Sequence, residues 1–359
     1  MILVLEGLRG VAAVIVAIYH SWPSDIRTVF FILNGWLWVD LFFVLSGSVM
    51  RLTYSGRLNN YLHLKSFAIK RFGRLYPLHL ATTLAFVFAV SVAVPWASAV
   101  AKVYFGKAPN IPSEYLSNVA SMLDQLPFHI LLVHGLGFIE QIGLNYPSWS
   151  ISAEFAVYLI WAMIWLCTAM RKVWSLIAIS ATVLLLAFLY FYVSRPSFGY
   201  MGDFGLLRCL VGFSVGTLLP NAWVRLRDAP AKWLPQITQL AGLLLTGALF
   251  FFASSIPSIT YLAPLVFGLL ILGLVSYDSA ITRVLVARPL VILGKLSYSI
   301  YLWHVPILLF FKPAMISSPS WVGSIGLVAY LSLLIAIASM SYKYLESPSR
   351  KFFAKIAAK

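Results

Sequence analysis

The first apolar segment of the chain, 8–22, carries an arginine near one end and a histidine near the other. Arg9 and His20 are separated by ten residues. On a helix this spacing places them roughly 16 Å apart, which is about half the hydrocarbon core of a bilayer. Ionisable side chains at membrane depth are costly, and they usually face a polar cavity that serves function. The segment therefore predicts a membrane helix that lines a site running through the bilayer.

Composition places the chain among multi-pass membrane proteins. Of its residues 61% are hydrophobic and only 10% are charged, whereas about a quarter are charged in a typical soluble protein. We predict an all-α fold in one membrane-embedded domain, 1–359, with no appended soluble domain. About ten apolar segments are long enough, or nearly so, to span a membrane: 8–22, 30–50, 76–98, 148–170, 174–193, 204–221, 236–254, 259–276, 291–311 and 322–344.

The net charge of +15 falls in short connections between the apolar segments. That pattern is typical of topology signals, and it argues against nucleic-acid binding. Lysine and arginine concentrate in alternate connections, which predicts that both termini are cytoplasmic. Cys167 and Cys209 lie inside apolar segments, so neither a disulfide framework nor a metal cluster is predicted. The long connection 99–147 contains an apolar stretch with His129 and His134, for which a re-entrant or interfacial helix is predicted.

Two groups of basic residues can be interpreted either as functional or as contacts with lipid and signals for topology. His20 is suited to act as a general base, because imidazole titrates near neutral pH; alternatively, Arg9 reaches lipid phosphates and His20 caps an interface. Arg71 and Arg74 fall in the connection after the second span. Three residues apart on a helix, they share a face and suit a phosphate or pyrophosphate. The alternative is a topology signal that contacts anionic lipids.

Two acids, Asp40 and Glu154, lie well inside apolar segments. A carboxylate near an imidazole can set its tautomer and stabilise its protonated form. The alternative is a structural ion pair, for example between Glu154 and Arg208. His304 lies in a later span and is either a second catalytic or acceptor-orienting group, or a buried histidine bonded to a neighbouring helix.

Six motifs in order resemble one family over nearly the whole chain: Leu5–Gly10 leading to His20, Val39–Gly47, Arg71–Pro77, Ser148–Phe155, Ser297–His304 and Tyr344–Pro348. The chain resembles acyltransferase family 3, integral membrane proteins that acylate carbohydrates at the cell surface. Two departures are small: Glu6 stands where many members have aspartate, and one acid of a common acidic pair is absent beside Glu154.

The resemblance implies a membrane O-acyltransferase in the bacterial inner membrane. It would move an acyl group, with acetyl the first expectation, from cytoplasmic acyl-CoA to a hydroxyl of a cell-surface or lipid-linked carbohydrate. The donor is acetyl-CoA or another acyl-CoA, no metal is required, and membrane lipid is the remaining partner. The carbohydrate acceptor is a polysaccharide, a lipopolysaccharide or a lipo-oligosaccharide.

The resemblance and the residue chemistry together predict three sets of site residues. The catalytic set is His20, Glu154 and Arg9. The donor-binding set is Arg9, Arg71, Arg74, Tyr76 and Ser46. The substrate-binding set is His304, Tyr301, Asp40, Trp149 and Arg208. A secondary transporter is the alternative class, because it would also have about ten spans with intramembrane ionisable residues; the sequence shows no inverted repeat.

Overall fold

In the computed structural model, nine helices of the described part are long and apolar enough to cross a membrane. The prediction of an all-α multi-pass membrane protein is therefore confirmed. The predicted span at 174–193 lies almost entirely outside the described residues. These residues are 2–21, 29–54, 56–58, 60–96, 119–139, 142–166, 204–317 and 320–358, together with single residues at 102, 180, 183, 199 and 201.

The longer helices of the described part are numbered in chain order. They are α1 (Ile2–Ser21), α2 (Trp38–Tyr54), α3 (Tyr61–Phe88), α4 (Trp149–Leu166), α5 (Gly205–Arg227), α6 (Leu234–Phe252), α7 (Ala263–Ser276), α8 (Arg288–Ser317), α9 (Ser320–Ser341) and α10 (Ser347–Ile356). Short helices cover Phe30–Leu33, Val119–Leu123, Leu126–Ile130 and Ala280–Leu285.

Glycines allow α1 and α8 to approach until their backbones nearly touch. A Cβ atom added to Gly294 would lie 2.0 Å from the carbonyl oxygen of Glu6, and one added to Gly10 would lie 2.6 Å from the backbone nitrogen of Gly294. In a membrane, small residues at an interface permit this close packing. The contact places Arg9 and His20 of α1 beside the Ser297–His304 motif of α8.

A second glycine contact joins α2 to α5. A Cβ on Gly47 would lie 2.1 Å from the carbonyl oxygen of Phe213, and one on Gly216 would lie 2.0 Å from that of Val44. This close approach brings Asp40, one of the predicted intramembrane acids, within reach of α5.

The helix α3 begins earlier than the apolar pattern indicates. The predicted span starts at residue 76, but the helix begins at Tyr61, where the Asn60 side chain caps it by accepting a hydrogen bond from the backbone N–H of His63 at 2.9 Å. Arg71 and Arg74 therefore lie within a continuous helix rather than in a connection. The helix α10 packs against α3 at Gly73, where an added Cβ would lie 2.2 Å from the Cβ of Phe353.

Candidate active site

A cavity of about 220 Å³ lies between α1, α2, α3, α4 and α8. Its wall includes six residues that the sequence predicts for the site: Arg9, Ser46, Arg71, Arg74, Glu154 and Tyr301. Each of the five helices contributes at least one of them, and apolar side chains of α1 and α2 complete much of the lining. The fold thus gathers most of the predicted donor-binding residues around one space.

Three arginines and two glutamates line this cavity, so basic side chains exceed acidic ones by one. Arg71 is buried, and its Nη2 donates to the Tyr54 hydroxyl at 2.9 Å. Its Nε has no hydrogen-bond partner within the described part of the chain. Arg9 lies 3.5 Å from the carboxylate of Glu6, and both side chains remain partly exposed. A buried N–H donor without a partner is unfavourable, so an anion entering the cavity would gain binding free energy there.

Glu154 is held inside the cavity by hydroxyl groups. Its Oε1 accepts hydrogen bonds from Ser46 and from Tyr158, which lies one helical turn further along α4. The sequence predicts that Glu154 orients His20, but these hydrogen bonds direct its carboxylate toward α2 and its own helix. Glu154 shares the cavity wall with Arg9 and Arg74.

The side chain of His304 contacts the ring of His20 through a hydrogen bond. The Nε2 of His304 lies 3.1 Å from the Nδ1 of His20, and that Nδ1 also lies 3.0 Å from the carbonyl oxygen of Val16. The other nitrogen of His304, Nδ1, bonds to the carbonyl oxygen of Tyr301. A carbonyl only accepts, so Nδ1 of His304 carries a hydrogen, and in the neutral ring Nε2 is an acceptor.

These contacts determine the tautomer of His20. Because both the Val16 carbonyl and the neutral His304 Nε2 accept hydrogen bonds, the Nδ1 of His20 carries the hydrogen. The lone pair of the neutral ring is then on Nε2. His304, predicted to bind substrate, is instead placed to orient His20.

Tyr301 connects the cavity to the two histidines. It lines the cavity, and its ring centroid lies 5.7 Å from that of His304, which lies 5.0 Å from that of His20. The Tyr301 hydroxyl donates to the carbonyl oxygen of Pro147 at 2.8 Å and lies 2.9 Å from the Ser150 hydroxyl. His20 itself is absent from the described wall of the cavity and lies beyond Tyr301.

Asp40 and Arg208 form a buried ion pair away from the cavity. Two hydrogen bonds join them, from Nε to Oδ1 at 2.8 Å and from Nη2 to Oδ2 at 2.7 Å, and Nη2 also donates to the Trp36 carbonyl at 3.2 Å. The guanidinium lies 5.3 Å from the ring centroid of Trp149. The sequence offers Glu154 as a partner of Arg208, but Asp40 takes that position.

Tyr76, predicted to bind the donor, stacks on Phe72 with ring centroids 4.4 Å apart and is absent from the described wall of the cavity. Sequence reasoning missed two other tyrosines that do line it, Tyr158 and Tyr298. The spacing of Tyr158 four residues after Glu154 is a signal that could have identified the first. The hydroxyl of Tyr298 donates to the carbonyl oxygen of Leu75 at 2.5 Å, a contact between α8 and α3 that the sequence does not indicate.

Sequence reasoning also missed His79 of α3, which stacks against His129 and His134. The ring planes of the three are nearly parallel, and His129 and His134 lie 3.8 Å apart between centroids. Burial, followed by the charge of His79, lowers the pKa of His134 to about 3. Burial also lowers the pKa of His129, so both of these rings are neutral at pH 7.

Comparison with known proteins gives relatives that are named as O-acetyltransferases. The chain is 27% identical to the peptidoglycan O-acetyltransferase OatA of Listeria monocytogenes over 97% of its own length and 55% of the relative's. It is 26% identical to the putative peptidoglycan O-acetyltransferase YrhL of Bacillus subtilis over 96% and 54%, respectively. A putative O-acetyltransferase of Staphylococcus aureus is 25% identical over 97% and 57%. The chain therefore spans little more than half the length of these curated relatives.

No solved structure matches the chain. A family model described as an acyltransferase domain matches residues 2–342, nearly the whole length. This match favours the predicted acyltransferase over the transporter alternative. The six motifs, the helical membrane fold and this match lead to one conclusion: the chain belongs to the acyltransferase family that its motifs resemble.

Proposed function

We propose that the protein transfers an acetyl group from acetyl-CoA to a hydroxyl of a cell-surface carbohydrate, with His20 as general base. The observation that carries the proposal is the arrangement along α1 and α8. The cavity is lined by Arg9 of α1. Tyr301 of its wall contacts His304, and His304 contacts His20, which lies further along α1.

The donor is assigned from the charge and size of the cavity. Acyl-CoA carries phosphates at its nucleotide end, and guanidinium groups bind phosphate through paired N–H donors. A volume of about 220 Å³ is smaller than a typical site for a drug-sized ligand. We therefore assign it to the thin pantetheine arm, with the nucleotide left at the mouth near Arg71 and Arg74.

The topology follows from the distribution of basic residues. With both termini in the cytoplasm, the Arg9 end of α1 faces the compartment that holds acyl-CoA, and the His20 end faces outward. The acceptor hydroxyl then reaches His20 from outside. We propose the bacterial cytoplasmic membrane as its location.

The chemistry requires one proton transfer in each direction. The Nε2 of His20 takes the proton of the acceptor hydroxyl while the oxygen of that hydroxyl attacks the thioester carbonyl carbon. The tetrahedral intermediate then collapses, the carbon–sulfur bond breaks, and the departing thiolate takes the proton from His20. The products are the acetyl ester and free coenzyme A. We assign stabilisation of the oxyanion to the Ser150 hydroxyl on the cavity wall, which can turn its hydrogen from the Pro147 carbonyl toward the substrate, whereas the O–H of Tyr301 stays bonded to that carbonyl.

The acceptor class is supported by the relatives, two of which are named as peptidoglycan O-acetyltransferases. A sugar hydroxyl is a weak acid, so its attack on a thioester benefits from a positioned base such as His20. We propose a cell-wall or surface polysaccharide as the acceptor.

The test is acetyl-CoA cleavage by the purified protein in detergent, measured as free thiol with and without peptidoglycan fragments. We expect acceptor-dependent turnover in the wild type and a loss of about 100-fold or more in His20→Ala. His63→Ala is the matched control, because His63 is an exposed histidine of α3. Wild-type protein that cleaves no acetyl-CoA, or a His20→Ala variant that turns over normally, would contradict the proposal.

A further inference from the structure

Three histidines outside the candidate active site converge on one point. His79 comes from α3, whereas His129 and His134 come from the segment 119–139 that packs against it. All three side chains are completely buried. One nitrogen from each ring lies within 4.8 Å of the corresponding nitrogens of the other two.

The hydrogen bonds of this cluster, which we call the tri-histidine cluster, leave ring nitrogens without partners. The Nε2 of His79 lies 3.0 Å from the carbonyl oxygen of His129, and the Nε2 of His134 lies 3.0 Å from the Ser148 hydroxyl. Within the described part of the chain, Nδ1 of His79, Nδ1 of His134 and both nitrogens of His129 have no hydrogen-bond partner. Buried polar atoms are rarely left unsatisfied in native proteins, so these four nitrogens point to a ligand at this position.

We propose that the tri-histidine cluster binds one divalent transition-metal ion, with Zn²⁺ as the ion. Neutral imidazole nitrogen is a preferred ligand of zinc, and three such ligands make a common zinc site. The hydrogen bond from His79 to a backbone carbonyl is the contact that metal-binding histidines usually make with their second nitrogen. It fixes a tautomer in which the Nδ1 of His79 carries a lone pair. Metal binding through the Nδ1 of His134 requires that its Nε2 donate the hydrogen bond to the Ser148 hydroxyl.

The rings must turn when the ion binds. Two nitrogens that each lie about 2.1 Å from a tetrahedral ion are about 3.4 Å apart, so ring nitrogens that lie up to 4.8 Å apart must come closer together. The rings are also nearly parallel, with interplanar angles of 4° to 13°. Lone pairs lie in the ring plane, so parallel rings cannot all point at one ion. His129, with neither nitrogen bonded, is the ring able to rotate most easily.

A metal ion here would support the active site without touching it. The ion joins the segment 119–139 to α3, and Ser148, the partner of His134, directly precedes α4. Two residues later, Ser150 contacts the Tyr301 hydroxyl on the cavity wall. The role is therefore structural, which leaves intact the expectation that the transfer reaction itself needs no metal.

The test is the zinc content of the full-length protein, purified without a polyhistidine tag and analysed by mass spectrometry. We expect about one Zn²⁺ per chain in the wild type and in His63→Gln, since His63 lies outside the tri-histidine cluster. We expect no stoichiometric zinc in His129→Gln. A milder variant, Ser148→Ala, keeps all three ligands and is expected to bind zinc about 10- to 100-fold more weakly.

A second measurement tests the site even if the metal is lost during extraction or a variant does not fold. Wild-type protein is stripped with a chelator and titrated with Co²⁺, whose visible absorption reports coordination by nitrogen ligands. A saturable band at one equivalent supports the proposal. The proposal is overturned if wild-type protein holds no zinc and binds no added Co²⁺. It is also overturned if His129→Gln keeps the metal while His304→Gln loses it.

Discussion

Replacing Arg208 by methionine tests whether the Asp40–Arg208 pair serves structure or substrate. The two side chains are 0% and 2% exposed, and removal of the guanidinium takes away two hydrogen bonds to the carboxylate at once. An unpaired buried carboxylate typically costs about 3–5 kcal/mol. Since 1.4 kcal/mol is a factor of ten, the folded-to-unfolded ratio should fall by at least about 100-fold.

The assay is equilibrium unfolding in mixed detergent micelles, followed by circular dichroism. Arg227→Met is the matched control, because Arg227 and Asp228 form an ion pair whose side chains are 55% and 58% exposed. We expect little change in the free energy of unfolding from this control, since exposed pairs contribute little. A loss for Arg208→Met no larger than that of the control would refute the reasoning.

The double variant Asp40→Leu/Arg208→Met separates the two roles of the pair. Replacing both charges by apolar groups removes the unpaired carboxylate, and such replacements are often neutral or stabilising. We expect the double variant to recover most of the stability lost in Arg208→Met. If the pair is structural, transfer activity recovers with it. If the pair binds substrate, as the sequence predicts, stability returns but activity stays lost.

Three further predictions concern packing, the histidine pair and donor binding. Gly294→Ala should lower the free energy of unfolding by about 1–3 kcal/mol, because its Cβ would lie 2.0 Å from a carbonyl oxygen. Gly247→Ala, with nothing within 4 Å, should be neutral or stabilising in the same unfolding assay. His304→Gln, which keeps a hydrogen-bond acceptor, should retain more kcat than His304→Leu, for which we expect a loss of about 10- to 100-fold. Arg71→Ala should raise the KM for acetyl-CoA more than kcat falls, whereas the exposed Arg57→Ala should leave initial-rate kinetics unchanged.

Hydropathy predicts the membrane helices of this chain well and their ends less well. An apolar run long enough to cross the bilayer is a strong signal, because the bilayer demands it. The start of α3 at Tyr61 was missed because its first turns carry Lys65, Lys70 and Arg71. A helix that continues beyond the hydrocarbon core keeps its backbone hydrogen bonds but loses its apolar signature.

Half of the predicted site residues line the cavity, but the pairing of the polar residues could not be predicted. Intramembrane charge singles out Asp40, Glu154 and Arg208 equally, because each is costly in lipid. Which of them line a cavity and which neutralise each other depends on helix rotation. Asp40 and Arg208 are 168 positions apart in sequence, and a single sequence contains no signal for such a contact.

The contact between His20 and His304 also bears on the proposed chemistry. In a serine-protease triad, a carboxylate accepts the hydrogen bond from the catalytic histidine and stabilises its protonated form. A neutral imidazole accepts the same bond and sets the same tautomer, but it adds no negative charge. His304 can therefore set the tautomer of His20 without itself supplying a counter-charge. The carboxylate of Glu154 is bonded to Ser46 and Tyr158 instead, so it is engaged away from the two histidines.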